Sequence, residues 1–228
     1  MSIKENLEKI AEKIRLRLEL AGRNSGDITM VAVTKTVEED RIREAIASGV
    51  RIIGENRVQE AKDKYAKLGN EVIWHLVGHL QTNKAKDAVK IFDLIHSVDS
   101  VKLAKEIDKQ ARKAGKVQKV LIEVNLSGEE TKYGLSPEEV IPFLKDISEL
   151  PNMKVEGLMT MAPFYENPED CRPYFRRLKE LMEKVKARKI ENVEMKYLSM
   201  GMTNDYEVAI EEGSNMVRIG RAIFGPEG

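Results

Sequence analysis

The chain has 228 residues, 42% of them hydrophobic and 33% charged, with 38 lysines and arginines against 38 aspartates and glutamates. That length can form one large domain or two small ones, and the composition excludes disorder. A net charge near zero excludes long-range attraction to nucleic acid or an anionic membrane, so any anion site must be local.

The first 23 residues, MSIKENLEKIAEKIRLRLELAGR, carry charges throughout and contain no run apolar enough for a signal core or a membrane span. Ile3, Leu7, Ile10, Ile14 and Leu18 recur at three- and four-residue spacing, which predicts an amphipathic helix packed over one end of the domain. Eight short β-type runs follow, each succeeded by a longer amphipathic stretch. They are ITMVAVT from Ile28, VRIIG from Val50, VIWHLVG from Val72, DLIHSV from Asp93, VLIEVNL from Val120, VEGLMTMA from Val155, MKYLSM from Met195 and NMVRIG from Asn215. Near-continuous apolar runs suit strands buried on both faces of a parallel sheet.

Thr36 with Glu39 and Ser136 with Glu139 have capping-box spacing, and Pro137 and Pro168 stand where a first helical residue accepts proline. No linker or low-complexity tract divides residues 1–228, so a single domain is expected. The alternation predicts an α/β fold, a (β/α)₈ TIM-type barrel with an extra N-terminal helix. An open doubly wound sheet is the second choice, weakened by the lack of a Gly-x-Gly-x-x-Gly fingerprint after the first strand.

In such a barrel the residues after each strand line the active face. Lys35 follows the first strand, Glu55 and Asn56 the second, His79 the third, Ser97 the fourth, Asn125 the fifth, Ser199 the seventh, and Arg218 with Gly220 the eighth. The Lys35 amine at a barrel mouth could attack an aldehyde once desolvated, or simply cap the strand with its charge in water. Gly220 permits close backbone approach, and a short helix after it would aim free N–H groups at an anion. The turn from Gly201 to Asn204 adds hydroxyl and amide donors, although Thr203 or Asn204 could equally serve as a helix cap.

The segments AVTK, GENRVQE, WHLVGHLQTNK, LSMGMTNDYEVAI and GSNMVRIGRAIFG together resemble the pyridoxal phosphate homeostasis protein family, barrels related in fold to the N-terminal domain of alanine racemase. The likeness runs from about Ile28 to Gly225, with five motifs in the same order. It implies pyridoxal 5'-phosphate as cofactor, bound to Lys35 as a Schiff base. It further implies a phosphate-binding hydroxyl at Ser199, cofactor contacts from Met200, Gly201 and Thr203, and phosphate-binding backbone amides at Gly220 and Arg221. Arg218 would face the pyridine nitrogen, Asn56 would lie near the ring, and His79 would sit at the mouth. Arg221 departs from the family pattern, which often has a small residue such as threonine there.

The resemblance implies a binding and buffering protein without catalytic turnover, with pyridoxal phosphate-dependent enzymes as recipients of the cofactor; the single cysteine suits a cytoplasmic location, and the lack of an appended domain suits a monomer. An arginine opposite the pyridine nitrogen restrains carbanion chemistry, because a guanidinium only donates. Racemases of related fold draw a second base, a tyrosine, from a C-terminal domain, and this chain ends directly after its eighth unit. Amino-acid racemisation with Lys35 as one base and His79 or Tyr133 as its partner is the alternative; a barrel binding an unrelated phosphorylated metabolite is a third reading.

His75, His79 and His96 lack helical zinc spacing, so no metal site is expected. Cys171, the single cysteine, forms no intramolecular disulfide and reads as a packed or surface thiol near a helix start. GEETKYG, residues 128–134, reads as a loop at the mouth that carries Lys132, or as an ordinary solvated loop. The methionines at 153, 159, 161, 200 and 202 suit core and mouth packing.

Overall fold

A computed structural model describes residues 2–129 and 131–226; Glu130 of the predicted loop and the extreme ends of the predicted 1–228 domain lie outside them. Eight parallel strands alternate with helices and close into a barrel in which β8 pairs with β1. The strands are β1 (Thr29–Val33), β2 (Ile52–Glu55), β3 (Ile73–Leu76), β4 (Leu94–Val98), β5 (Gln118–Glu123), β6 (Met153–Met159), β7 (Val193–Met202) and β8 (Met216–Ile219). The helices are α1 (Ile3–Leu20), α2 (Glu39–Ala47), α3 (Val58–Leu68), α4 (Ala85–Ile91), α5 (Val101–Lys113), α6 (Pro137–Ile147), α7 (Arg172–Lys186), α8 (Tyr206–Glu211) and the single turn α9 (Arg221–Phe224).

Side chains alternate across each strand, so two cores form. Val31, Val77, Leu94, Leu121, Met159 and Met216 fill the barrel. Ala32, Ile53, Trp74, Leu198, Val217 and Ile219, one residue out of step, pack the layer between strands and helices. The parity sets which polar residues can meet. Along β8, Met216 and Arg218 face inward while Val217 and Ile219 face the helices. Along β7, Ser199 takes the inner parity and Met200 joins the outer core.

The amphipathic periodicity of α1 is realised, with Ile3, Leu7, Ile10, Ile14 and Leu18 buried. Its position differs from the expected one over an end of the barrel. It packs against α2, α8 and α9, filling the slot in the outer layer that the short α8 and α9 leave beside the β8–β1 seam. Asn6 donates to the Ile223 carbonyl at 2.9 Å, and Arg17 pairs with Glu207 and Glu211.

Of the two predicted capping boxes, Ser136 with Glu139 is present, with Pro137 in the first turn. The Thr36 box is not. Thr36 has φ +58, α2 begins only at Glu39, and the Thr36 amide donates to Glu60 Oε1 at 2.6 Å instead. Pro168 opens a 3₁₀ turn, and α7 follows from Arg172.

Candidate functional site

Lys35 stands two residues beyond Val33, on the same inward parity, and both line a cavity of about 540 Å³ at the carboxyl ends of the strands. That volume suits a small-molecule ligand. Asn56, His79, Thr203, Arg218, Gly220 and Arg221 line it too, so seven of the ten residues implicated by sequence converge on one space. Tyr133, Met161 and Phe164 form an exposed apolar rim.

The turn that carries Lys35 is held from outside the barrel. Glu55 has the outward parity, so it does not reach the mouth where the sequence reading put it. It is fully buried under α3, where Thr34 Oγ1 donates to its Oε1 at 2.6 Å and Lys64 Nζ at 2.8 Å. Lys64 also donates to the Thr34 carbonyl at 2.6 Å and to Glu60 at 2.7 Å, and Glu60 receives the Thr36 amide. Both neighbours of Lys35 are therefore tied to α3. Burial pushes the Glu55 carboxyl up, and the Lys64 charge pulls it back. Glu60 and Lys64 have the four-residue spacing of a helical ion pair, which was the sequence signal for this clamp.

Arg218 is buried at the cavity floor, donating to Ser199 Oγ at 2.6 Å and to the Thr160 carbonyl at 2.8 Å. Burial lowers its pKa to about 10, against the pull of Asp205 and Glu123, so it remains charged at neutral pH. Asp205 is fixed by the Met202 amide at 2.6 Å. Below Arg218, His96 Nδ1 lies 3.1 Å from Ser199 Oγ and His96 Nε2 lies 3.1 Å from His75 Nδ1. Burial holds His96 well below the ordinary histidine range and pushes His75 down to about 3. These are neutral, hydrogen-bonded core histidines.

Three implicated residues do not line the cavity. Ser199 is completely buried beneath Arg218, its hydroxyl engaged by Arg218 and His96, so Thr203 is the hydroxyl that this segment presents to the cavity. Met200 belongs to the outer core. Gly201, at φ +97, packs under α8, where a Cβ would stand 2.6 Å from Ala209 Cβ. Neither Thr203 nor Asn204 caps α8. Asp205 occupies that position, and Asn204 donates to the Tyr165 carbonyl at 3.0 Å.

Ser97 donates to the Gly78 carbonyl at 2.7 Å, and Asn125 staples the loop after β5 through the carbonyls of Glu129 and Lys132. Lys132 pairs with Glu129 at 2.6 Å and does not line the cavity. Cys171 is buried, its thiol pushed up to about 12 by burial and then by Asp205, which makes it a packing residue.

Gly220 completes the floor. A Cβ there would lie 3.2 Å from the Val33 carbonyl oxygen, and α9 starts at the next residue, so its first amides have no partner within the helix. Amine, guanidinium, hydroxyl and amide donors thus face one apolar-walled space, a set suited to a phosphorylated aromatic aldehyde.

The profile of the alanine racemase N-terminal domain matches residues 5–228. A pyridoxal phosphate homeostasis protein of Aquifex aeolicus is 48% identical over 226 residues, covering 99% of this chain and 98% of that protein. The chain belongs to the pyridoxal phosphate homeostasis protein family. Another member, from Pseudomonas aeruginosa, is 37% identical, covering 98% of this chain and 95% of its own. The solved structure of PipY from Synechococcus elongatus PCC7942 with PLP bound superposes with a TM-score of 0.83 at 35% identity, covering 93% of this chain and 100% of PipY. An alanine racemase of Clostridium difficile shares the fold at a TM-score of 0.76 and 19% identity; the homeostasis family chain spans 56% of it. Among the described residues no helix is long and apolar enough to cross a membrane.

Proposed function

We propose that this chain binds pyridoxal 5'-phosphate covalently through Lys35 and keeps it available to other proteins. The observation that carries this reading is the convergence of Lys35, Arg218, Gly220 and Thr203 on one cavity at the β1 and β8 ends. When bound, the cofactor supplies an aldehyde that couples to amines and a pyridine ring that withdraws electrons. Lys35 presents the amine, on a turn that Lys64 and Glu60 hold in place. Thr203, Arg221 and the amides at the start of α9 would hold the phosphate, and Val33 and Val77, which also line the cavity, would wall the ring. Arg218 and Asn56 would meet the ring's polar edge. Because Arg218 is charged and donates only, it favours an unprotonated ring nitrogen and restrains proton abstraction from a bound amino acid.

The protein acts as a single-domain monomer in the cytoplasm without turnover of its own, and pyridoxal phosphate-dependent enzymes receive the cofactor. The PipY structure with PLP bound supports the cofactor, and the names of the relatives support the homeostatic role. Titrating the protein with pyridoxal 5'-phosphate, while following visible absorbance, tests the binding. A saturable absorbance change with the native chain and none with Lys35→Ala is expected. A panel of single-enantiomer amino acids tests the absence of turnover: sustained racemisation that requires Lys35 would replace this reading with an enzymatic one.

A further inference from the structure

We propose that His79, Asp99 and Glu123 form a binding site for a first-row divalent cation beside the cavity, with His79 between the two. The three side chains come from the ends of three successive strands, β3, β4 and β5, and offer one donor atom each, all within 4.8 Å of one another. His79 Nδ1 and Asp99 Oδ2 are 3.6 Å apart, within ion-pair reach of a protonated imidazole but too far for a hydrogen bond. Two ligands with metal bonds of about 2.1 Å at a tetrahedral angle stand about 3.4 Å apart, so the spacing matches the edge of a coordination shell.

Glu123 points to a ligand independently. It is only 3% exposed, and its Oε2 has no hydrogen-bond partner among the described residues. His79 Nδ1 is likewise buried and without a hydrogen bond. A proton shared between two carboxyls would satisfy one oxygen and leave the imidazole nitrogen unpaired, whereas one cation satisfies all three donors.

The surroundings hold the ligands in place, as an outer shell must. The His79 ring stacks on Tyr133 with centroids 3.6 Å apart and planes 10° from parallel. Burial pushes the Asp99 carboxyl up, and His79 and the nearby amides of Asp99 and Gly134 pull it back. Ser97, two residues before Asp99, ties β4 to the Gly78 carbonyl next to His79. One imidazole and two carboxylates, without sulfur, suit Zn²⁺ or Mn²⁺. Three protein ligands leave a further position open, and His79 itself lines the cavity.

The full-length protein, freed of metal by a chelator, is titrated with Zn²⁺ by calorimetry and with Mn²⁺ by electron paramagnetic resonance. One ion per chain is expected, weakened about tenfold or more in Glu123→Gln and in Asp99→Asn. Binding should be unchanged in Lys35→Ala and Cys171→Ala, which separates the site from the cofactor amine and from the lone thiol. Thermal melts of the metal-free variants report whether each folds, and Asp99→Asn serves should Glu123→Gln not. Absence of one-to-one binding, or equal affinity in folded Glu123→Gln or Asp99→Asn, overturns the proposal.

Discussion

Arg218 Nη1 donates to Ser199 Oγ across 2.6 Å, at the top of a buried chain of hydrogen bonds that runs through His96 to His75. A guanidinium has no acceptor, so Ser199 accepts there, and the same Oγ lies 3.1 Å from His96 Nδ1. His96 Nε2 in turn lies 3.1 Å from His75 Nδ1, which extends the buried chain of hydrogen bonds one residue further. The chain of bonds holds the Arg218 side chain in one orientation and engages the Ser199 hydroxyl beneath it.

Ser199→Ala and Thr203→Val should therefore separate stability from binding. The first leaves buried donors and acceptors unpaired on Arg218 and His96, and should cost about 1–3 kcal/mol in denaturant unfolding. The second should leave unfolding nearly unchanged and weaken pyridoxal 5'-phosphate about tenfold, as expected for one lost hydrogen bond to a charged group. The opposite pattern in paired melts and cofactor titrations would return the phosphate contact to Ser199.

His75 makes folding sensitive to acid. Its pKa is depressed in the folded protein, to about 3, from an ordinary value near 6.5, so the unfolded chain takes up a proton first. Its contribution is fully present above about pH 6.5 and is lost as pH falls toward about 3, at about 1.4 kcal/mol per pH unit. His96 acts with the same sign. Unfolding free energies measured between pH 7 and pH 5 should fall accordingly, and less steeply in His75→Asn; an identical slope in the two proteins would contradict the burial argument.

Parity along the strands explains how much could be read in advance. The eight units, the barrel and the cavity residues Lys35, Asn56, Arg218 and Gly220 were legible because apolar runs mark strands and strand ends mark a barrel's mouth. Counting twos from Val31 also puts Lys35 inside, and the same count from Ile53 puts Glu55 outside with Lys64. Ser199 entered the expected site through the family resemblance and its place at a strand end, and neither signal could show that its hydroxyl faces Arg218. Asp99 and Glu123 carried no signal, since strand register alone brings them to His79.

Lys64→Met should disturb both fold and site. It leaves Glu55 buried without its cation, at a cost of about 3–5 kcal/mol. Adding Glu55→Gln should recover much of that stability. The single variant should also weaken cofactor binding, because Thr34 loses its tie to α3; undiminished stability on denaturation would show that the clamp is dispensable.

The two glycines should differ. Gly201→Ala would put a Cβ 2.9 Å from the Tyr206 Cα on a backbone at φ +97, and should destabilise by about 1–3 kcal/mol. Gly220→Ala meets only Val33, its carbonyl oxygen at 3.2 Å and its Cβ at 3.4 Å, so it should melt closer to the native protein and lose cofactor affinity instead. Equal melting temperatures for the two variants would contradict this.

Borohydride reduction of the protein saturated with pyridoxal 5'-phosphate, followed by peptide mass mapping, tests the central claim most directly. A pyridoxyl group fixed on Lys35 alone is predicted. A label spread over surface lysines, or absent from the peptide containing Lys35, would contradict the account.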